Sequence, residues 1–423
     1  MEKEAKRTAL YEWHVGHGAM MADFGGYEMP LWYSSVKNEH LSVLQQAGLF
    51  DTSHMAALLV TGPGARDLLQ HCFTSNLDAC VGRSKKPLVP GRCVYGAYLN
   101  ARGQVIDDSI INQLSENSYM AVVNAGMGAV VAGHLKAQAG GREVTISDLT
   151  DNLGKIDVQG PMAARILSKV LAKPESAFEK MFYFSFKGYF DPASRLADAV
   201  RLTDNTPILL SRTGYTGEFG FEIFVSTDKV VNTWEMICQA GQKFGLAACG
   251  LAARDSLRGG AVLPLSHQDI GAWPFINHPW AFALPFNGDQ TVFTKGFIGD
   301  QALLANGEPE YTYAFVGADL RKVSTADPAV VSDTTGTEIG IVLTCVSDMG
   351  IDRHNGRVFS IASPGKPRDF TPRGLCCGFI KVKAPLQPGA EVVLKDKRRK
   401  LKVTVVTDIR PDRTARCQIQ EMR

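Results

Sequence analysis

The chain has no CxxC pair among its nine cysteines, and the one close pair is the adjacent Cys376-Cys377. An odd count without paired spacing argues against a disulfide framework and a thiolate zinc site, and for a reducing compartment. No apolar run reaches the roughly 18 residues a membrane helix needs, and the opening MEKEAKRTALYEWH carries no apolar signal core. A cytoplasmic location and no membrane partner are therefore expected. No GxGxxG opens a strand-to-helix unit and no GxxxxGKS/T occurs, so the common nucleotide cradles are missing. The histidines avoid HExxH and similar spacings, so no metal is expected. Ser53-His54 and Ser266-His267 are too local to suggest a Ser/His/Asp triad. Charge of one sign is lacking too. With 45 basic against 43 acidic residues, a net charge of +2 gives no reason to expect nucleic acid.

What is present fits a soluble globular protein: 423 residues, 45% hydrophobic and 21% charged. At about 150 residues per domain, that length suggests roughly two to four domains. Helical periodicity is predicted at 36–47, 62–72, 126–138, 161–171, 228–244 and 251–259. Residues 93–124 read as a meander of CVYGAYL, QVIDDSIINQL and YMAVVN joined by polar turns. From about 310 the text changes to short apolar runs separated by Gly, Pro and Asp, the pattern of a small β barrel. Between them, 264–290 is rich in proline and aromatics and reads foremost as a packed inter-domain connection.

Two features carry chemistry. In VIDDSII, Asp107 and Asp108 sit side by side within a strand, so they point to opposite faces and are not expected to form a like-charge dyad. RTGYTGEFGFEIFV places Tyr215 on a glycine-framed loop and Glu222 inside a strand, while GLAARDSLRGG places Arg254 near a helix start. A strand acid and a helix arginine could pair with each other, or could bind a planar, donor-rich ligand.

The ordered segments DFGGYEMPLWY, GLFDTSHM, GRCVYGAYLN, GQVIDDSII, VQGP, RTGYTGEFGFEI, GLAARDSLR and KGFIGDQAL resemble the aminomethyltransferases of the glycine cleavage system, the T-protein family. The resemblance runs from about Leu10 to about Leu304, with a weaker barrel-like match beyond. It implies an α+β fold: a three-domain ring around a central folate pocket, with a C-terminal β barrel. On this sequence that becomes a discontinuous folate-binding domain at 1–57 with 146–290, an inserted domain at 58–145 carrying the two aspartates, and the barrel at 310–423. It implies transfer of an aminomethyl carbon from the dihydrolipoyl arm of a lipoylated H-protein partner to tetrahydrofolate, the acceptor substrate. It assigns Asp107 to catalysis beside the reacting pterin nitrogens and leaves Asp108 to cap a turn or meet a neighbouring domain. Glu222 matches the acid that holds the amino-pyrimidine edge, and Arg254 the arginine that meets the glutamate tail. Met55, Tyr98, Asn124 and Tyr215 fall at or near pocket positions.

The chain also departs from the family pattern. Where relatives continue L-E-A-G and then L-Y-G, it has Gly259-Gly260-Ala261-Val262 and Leu265-Ser266-His267, so an acid has become Gly260 and an aromatic ring Ser266. The barrel ends in VVTDIRPDRTARCQIQEMR, without the family's Pro-Phe, after a basic run KDKRRKLK at 395–402. That run is either a solvated hairpin or a docking patch for an acidic partner. The altered 259–286 segment motivates an alternative, a tetrahydrofolate-dependent demethylase acting on a small methylated compound. A related folate-binding iron-sulfur assembly factor is disfavoured, because Phe297 stands where those proteins have cysteine.

Overall fold

Three large sheets, with a three-stranded and a two-stranded sheet beside them, frame the computed structural model, which describes residues 5–305, 309–326 and 329–423. The first sheet has six strands, in the spatial order Phe186–Gly188, Leu209–Ser211, Gly220–Ser226, Leu153–Gln159, Ala47–Asp51, Leu246–Ala248. Its central strand, LGKIDVQ, is buried at every position. Ile156 and Val158 share one face and join a core with Trp234, Ile166 and Leu167 from helices Val230–Gly241 and Ala163–Val170. Lys155 and Asp157 alternate with them, so a two-residue period places a cation and an anion together on the other face.

The second sheet has five strands, ordered Cys93–Leu99, Val105–Ser115, Ser118–Val123, Ala56–Thr61, Thr145–Asp148. The expected meander supplies the first three. Helices Ala65–Cys72 and Gly128–Gln138 contribute Leu68, Leu69, Val131 and Leu135 to a core with Ile111 and Tyr119. Tyr98, expected beside the pocket, belongs to this core instead. It is wholly buried, 5.2 Å from the Phe73 ring and 6.3 Å from His134, because its place in the alternation of CVYGAYL turns it toward the helices.

The third sheet is a closed six-stranded barrel, Tyr311–Gly317, Leu375–Val382, Glu338–Asp348, Val330–Ser332, Glu391–Lys395, Lys400–Val406. Closure removes free edges, and Phe315, Val331, Ile380, Leu394 and Val405 fill the interior. The aromatic connection at 264–290 packs as a linker. Phe275 and Trp280 are buried in a cluster with Leu99 and Val105 of the second sheet and Phe379 of the barrel.

The barrel is tied to the first sheet through a buried polar knot. Arg410, in the segment after the last barrel strand, pairs with Asp348 and donates from Nε to Glu218 Oε1 at 3.0 Å. Asp348 also meets His40 Nε2 at 3.0 Å, whose Nδ1 lies 2.7 Å from Ser256 Oγ. Gly260 makes room for this knot: a Cβ there would lie 1.8 Å from Asp348 Oδ2 and 2.7 Å from Arg410 Nη1. Even Gly260→Ala therefore forces the pair apart. It is expected to cost about 3–5 kcal/mol, the scale of breaking a buried ion pair. A melting temperature within about 2 °C of wild type would contradict this.

Candidate functional site

A cavity of about 1210 Å³ opens between the first two sheets and the aromatic connection. Five of the seven residues expected at a pocket line it: Met55, Asn124, Tyr215, Glu222 and Arg254 do, whereas Tyr98 and Asp107 do not. Of the two adjacent aspartates, the one on the cavity wall is Asp108. Strand alternation correctly separates the two carboxylates but does not say which face is the ligand's.

Asp107 is wholly buried behind Asp108. It accepts from Asn124 N at 2.9 Å, from Asn124 Nδ2 at 2.8 Å and from Ser266 Oγ at 3.0 Å. Asp108 does not cap a turn. It accepts from Tyr95 Oη at 2.8 Å and from the same Asn124 Nδ2 at 2.6 Å. The pair is therefore not independent, contrary to the expectation from alternation, because a single amide from the neighbouring strand end reaches round to both. Burial, reinforced by the charge of Asp107, pushes the Asp108 carboxyl up from its ordinary 3.8 to about 7.

The opposite wall is an ion ladder. Glu222 lies directly across from Asp157 in the antiparallel register, and Lys155 Nζ donates to both, at 2.6 Å to each. Thr213 Oγ1 donates to the second Glu222 oxygen. Arg254, on the first turn of helix Leu251–Gly260, donates to Asp157 Oδ2 at 2.9 Å and holds its guanidinium 4.7 Å from the Tyr215 ring centre. Glu222 and Arg254 thus do not pair directly. Lys155 and Asp157 join them, and sequence reasoning missed both, although a Lys-x-Asp alternation within an otherwise apolar strand was a visible signal. His54 was missed as well. It is buried on the cavity wall, its Nδ1 has no partner, and burial together with the Arg254 charge holds it down to about 4.

The mouth is basic and aromatic. Arg83, Lys85, Arg92 and Arg416 line it, as does Phe282, which leaves 69% of its surface exposed. Among the described residues, no group of three or more His, Cys, Asp or Glu side chains could hold a metal ion, and no helix is long and apolar enough to cross a membrane.

The GCVT N-terminal domain family matches residues 10–273. The chain belongs to the GCVT family of aminomethyltransferases. It is 34% identical over 354 residues to an aminomethyltransferase of Bacillus subtilis (strain 168), covering 80% of this chain and 90% of that protein. It is 33% identical over 410 residues to one of Geobacillus thermodenitrificans (strain NG80-2), covering 95% and 97%. The crystal structure of glycine cleavage system aminomethyltransferase T from Bartonella henselae is similar at 27% identity and a TM-score of 0.72, covering 95% of this chain and 96% of that one.

The departures from the family pattern have structural counterparts. At Gly260, where an acid was expected, the space is taken by the barrel carboxylate of Asp348. Ser266 replaces a ring with a hydroxyl that binds Asp107. The unusual C-terminal segment still sends an arginine to the GCVT cavity, with the Arg416 guanidinium 5.1 Å from the Tyr183 ring centre.

The raised Asp108 carboxyl has a consequence for stability. A folded-state value above the unfolded one means that ionisation penalises the fold. The penalty is absent below about pH 4, develops between there and about 7, and is complete above. Asp108→Asn is expected to melt higher than wild type at about pH 8, with the gap narrowing steadily toward about pH 5. A gap that stays constant across that range in thermal melts would refute the assignment.

Proposed function

We propose that the chain transfers the aminomethyl carbon carried on the dihydrolipoyl arm of a lipoylated H-protein to tetrahydrofolate, giving 5,10-methylenetetrahydrofolate, ammonia and the free dihydrolipoyl arm. Supporting this reading is one arrangement: a carboxyl near neutrality, Asp108, faces across one cavity the Glu222, Lys155, Asp157 and Arg254 ladder. A division at 1–57 with 146–290, 58–145 and 310–423 agrees with it, since the six-stranded sheet, most of the five-stranded sheet and the barrel fall in different units.

In the reaction the carbon gives up its bonds to sulfur and to the leaving nitrogen and gains bonds to two folate nitrogens. Two protons leave those nitrogens; one is taken by the thiolate and one by ammonia. A group that accepts and returns a proton near neutral pH suits this exchange, and Asp108 is such a group. Negative charge on the carboxyl pair also stabilises the positive charge that builds on the attacking nitrogen. We therefore assign Asp108 the contact with the acceptor and Asp107 the support behind it, reversing the roles expected from sequence. Glu222, held by Lys155 and Thr213, would accept from a flat donor-rich edge in this reading, and Arg254 would meet a carboxylate with its fork.

Purified protein with tetrahydrofolate and aminomethylated H-protein is expected to release ammonia and methylenetetrahydrofolate. Asp108→Asn is expected to lower kcat about a hundredfold or more, the scale of a lost acid-base group, and Asp107→Asn to cost less. Folate binding without product from this donor would favour demethylation of a small compound instead.

The basic hairpin between strands Glu391–Lys395 and Lys400–Val406 exposes Lys397, Arg398 and Arg399 around an Asp396 carboxylate that fixes the turn. We propose that it docks an acidic surface of H-protein. Charge reversal at these three positions is expected to raise the KM for H-protein at low salt and leave the KM for tetrahydrofolate unchanged. An unchanged KM for H-protein would remove the patch from the docking surface.

A further inference from the structure

The Ser266-His267 pair lies outside the cavity, yet it touches the carboxyl that backs it. Ser266 Oγ donates to Asp107 Oδ1, and His267 Nε2 lies 3.7 Å from the same oxygen, within ion-pair range. His267 leaves 49% of its side chain exposed and does not line the cavity, so it connects a wholly buried carboxylate to solvent by another side.

The position is costly for a histidine. Its φ of +65° is left-handed, a conformation that favours glycine, and glycine is what the family pattern L-Y-G has there. The loop around it is fixed. Asp269 pairs with Arg258 and accepts from Leu265 N at 2.9 Å and Thr344 Oγ1 at 2.7 Å, so its charge is already engaged. The carboxyls left facing His267 are Asp107 and Asp108 of strand Val105–Ser115, and the Tyr95 hydroxyl beside them is already donated to Asp108. A strained imidazole maintained against two carboxyls points to a role in their chemistry rather than in packing.

We propose that Ser266 and His267 are positioning residues for the carboxyl pair: Ser266 donates to Asp107 from outside the cavity and His267 stands within ion-pair range of it, so that the proton the pair holds is favoured on Asp108, facing the cavity. Asp107 then receives from Asn124 N on one oxygen and from Asn124 Nδ2 and Ser266 Oγ on the other, with the His267 imidazole beside it, and these donors all favour its acceptor form. The Asp107 carboxylate in turn holds His267 above its ordinary value, against partial burial. The proposal rests on the reading of the pair as the acid-base group.

Two measurements test it. Removing a cation beside two carboxyls makes them harder to ionise, so in His267→Gln the kcat limb that reports the pair is expected to move to higher pH by about one unit. In His267→Lys, which keeps the charge, the limb is expected to stay near wild type, and the KM for tetrahydrofolate to be unchanged in both. Superimposed profiles for wild type and His267→Gln would overturn the proposal. Equal shifts in both variants would do the same, marking the histidine as structural. The second measurement needs no substrate. In histidine-selective NMR, the resonance missing from the His267→Gln spectrum is expected to titrate at lower pH in Asp107→Asn than in wild type, and an unchanged titration would also overturn the pairing. If the aminomethyl donor failed to react at all, the functional assignment would fall while the NMR titration still decided the His267 contact.

Discussion

The buried pair of Asp348 and Arg410 is the contact on which the arrangement around the cavity depends. Its members come from the end of a barrel strand and from the segment beyond the barrel, and they reach Glu218, the Thr216 and Leu257 carbonyls, and His40. Those partners belong to the glycine-framed loop before Glu222, to helix Leu251–Gly260 that carries Arg254, and to helix Val36–Gln45. Taking two charges out of water is expensive, and the expense is recovered only when the remaining donors and acceptors are satisfied. Here the neighbours supply them, and the charge of Arg410 with the hydrogen bond to His40 holds Asp348 well below the ordinary carboxylate range despite burial. Displacing the barrel would strand these charges, so the barrel fixes the loop and helix that present Glu222 and Arg254.

The two walls of the cavity are electrostatically unlike. On the ladder side, two acids, Asp157 and Glu222, meet two cations, Lys155 and Arg254, and the charges balance locally. On the other side, two carboxyls share one neutral amide, and the excess appears as the raised Asp108. A balanced wall can hold a ligand in a fixed pose, while an unbalanced one can exchange a proton. This division of labour arises from burial and strand geometry.

Much of this was legible in the sequence. The predicted helices at 36–47, 126–138, 161–171 and 251–259 correspond to Val36–Gln45, Gly128–Gln138, Ala163–Val170 and Leu251–Gly260, because their apolar periodicity is strong. The barrel followed from regularly spaced apolar runs, although its short strand Val330–Ser332 was too brief to register. Glu222 and Arg254, placed at one pocket only by the resemblance, line a common cavity without pairing directly. Periodicity could not supply the identity of a face. It split Asp107 from Asp108 but could not say that the helices cover the face of Tyr98 and Ile111 while the cavity takes Asp108 and Ile110. Nor could it pair Lys155 with Glu222, 67 positions away, since that contact exists only once two strands align.

The missing side chain at Gly260 carries a historical implication. An acid was expected at this helix position from the resemblance, and here the barrel carboxylate of Asp348 stands in the volume that a side chain at 260 would occupy. A side chain at 260 and the Asp348 carboxylate are therefore mutually exclusive in this packing. Neither residue can revert alone: an acid restored at 260 would collide with Asp348, and Asp348 lost by itself would leave Arg410 buried without its closest counter-ion. The two positions should therefore vary together among relatives, and a lineage carrying this glycine is committed to the barrel carboxylate.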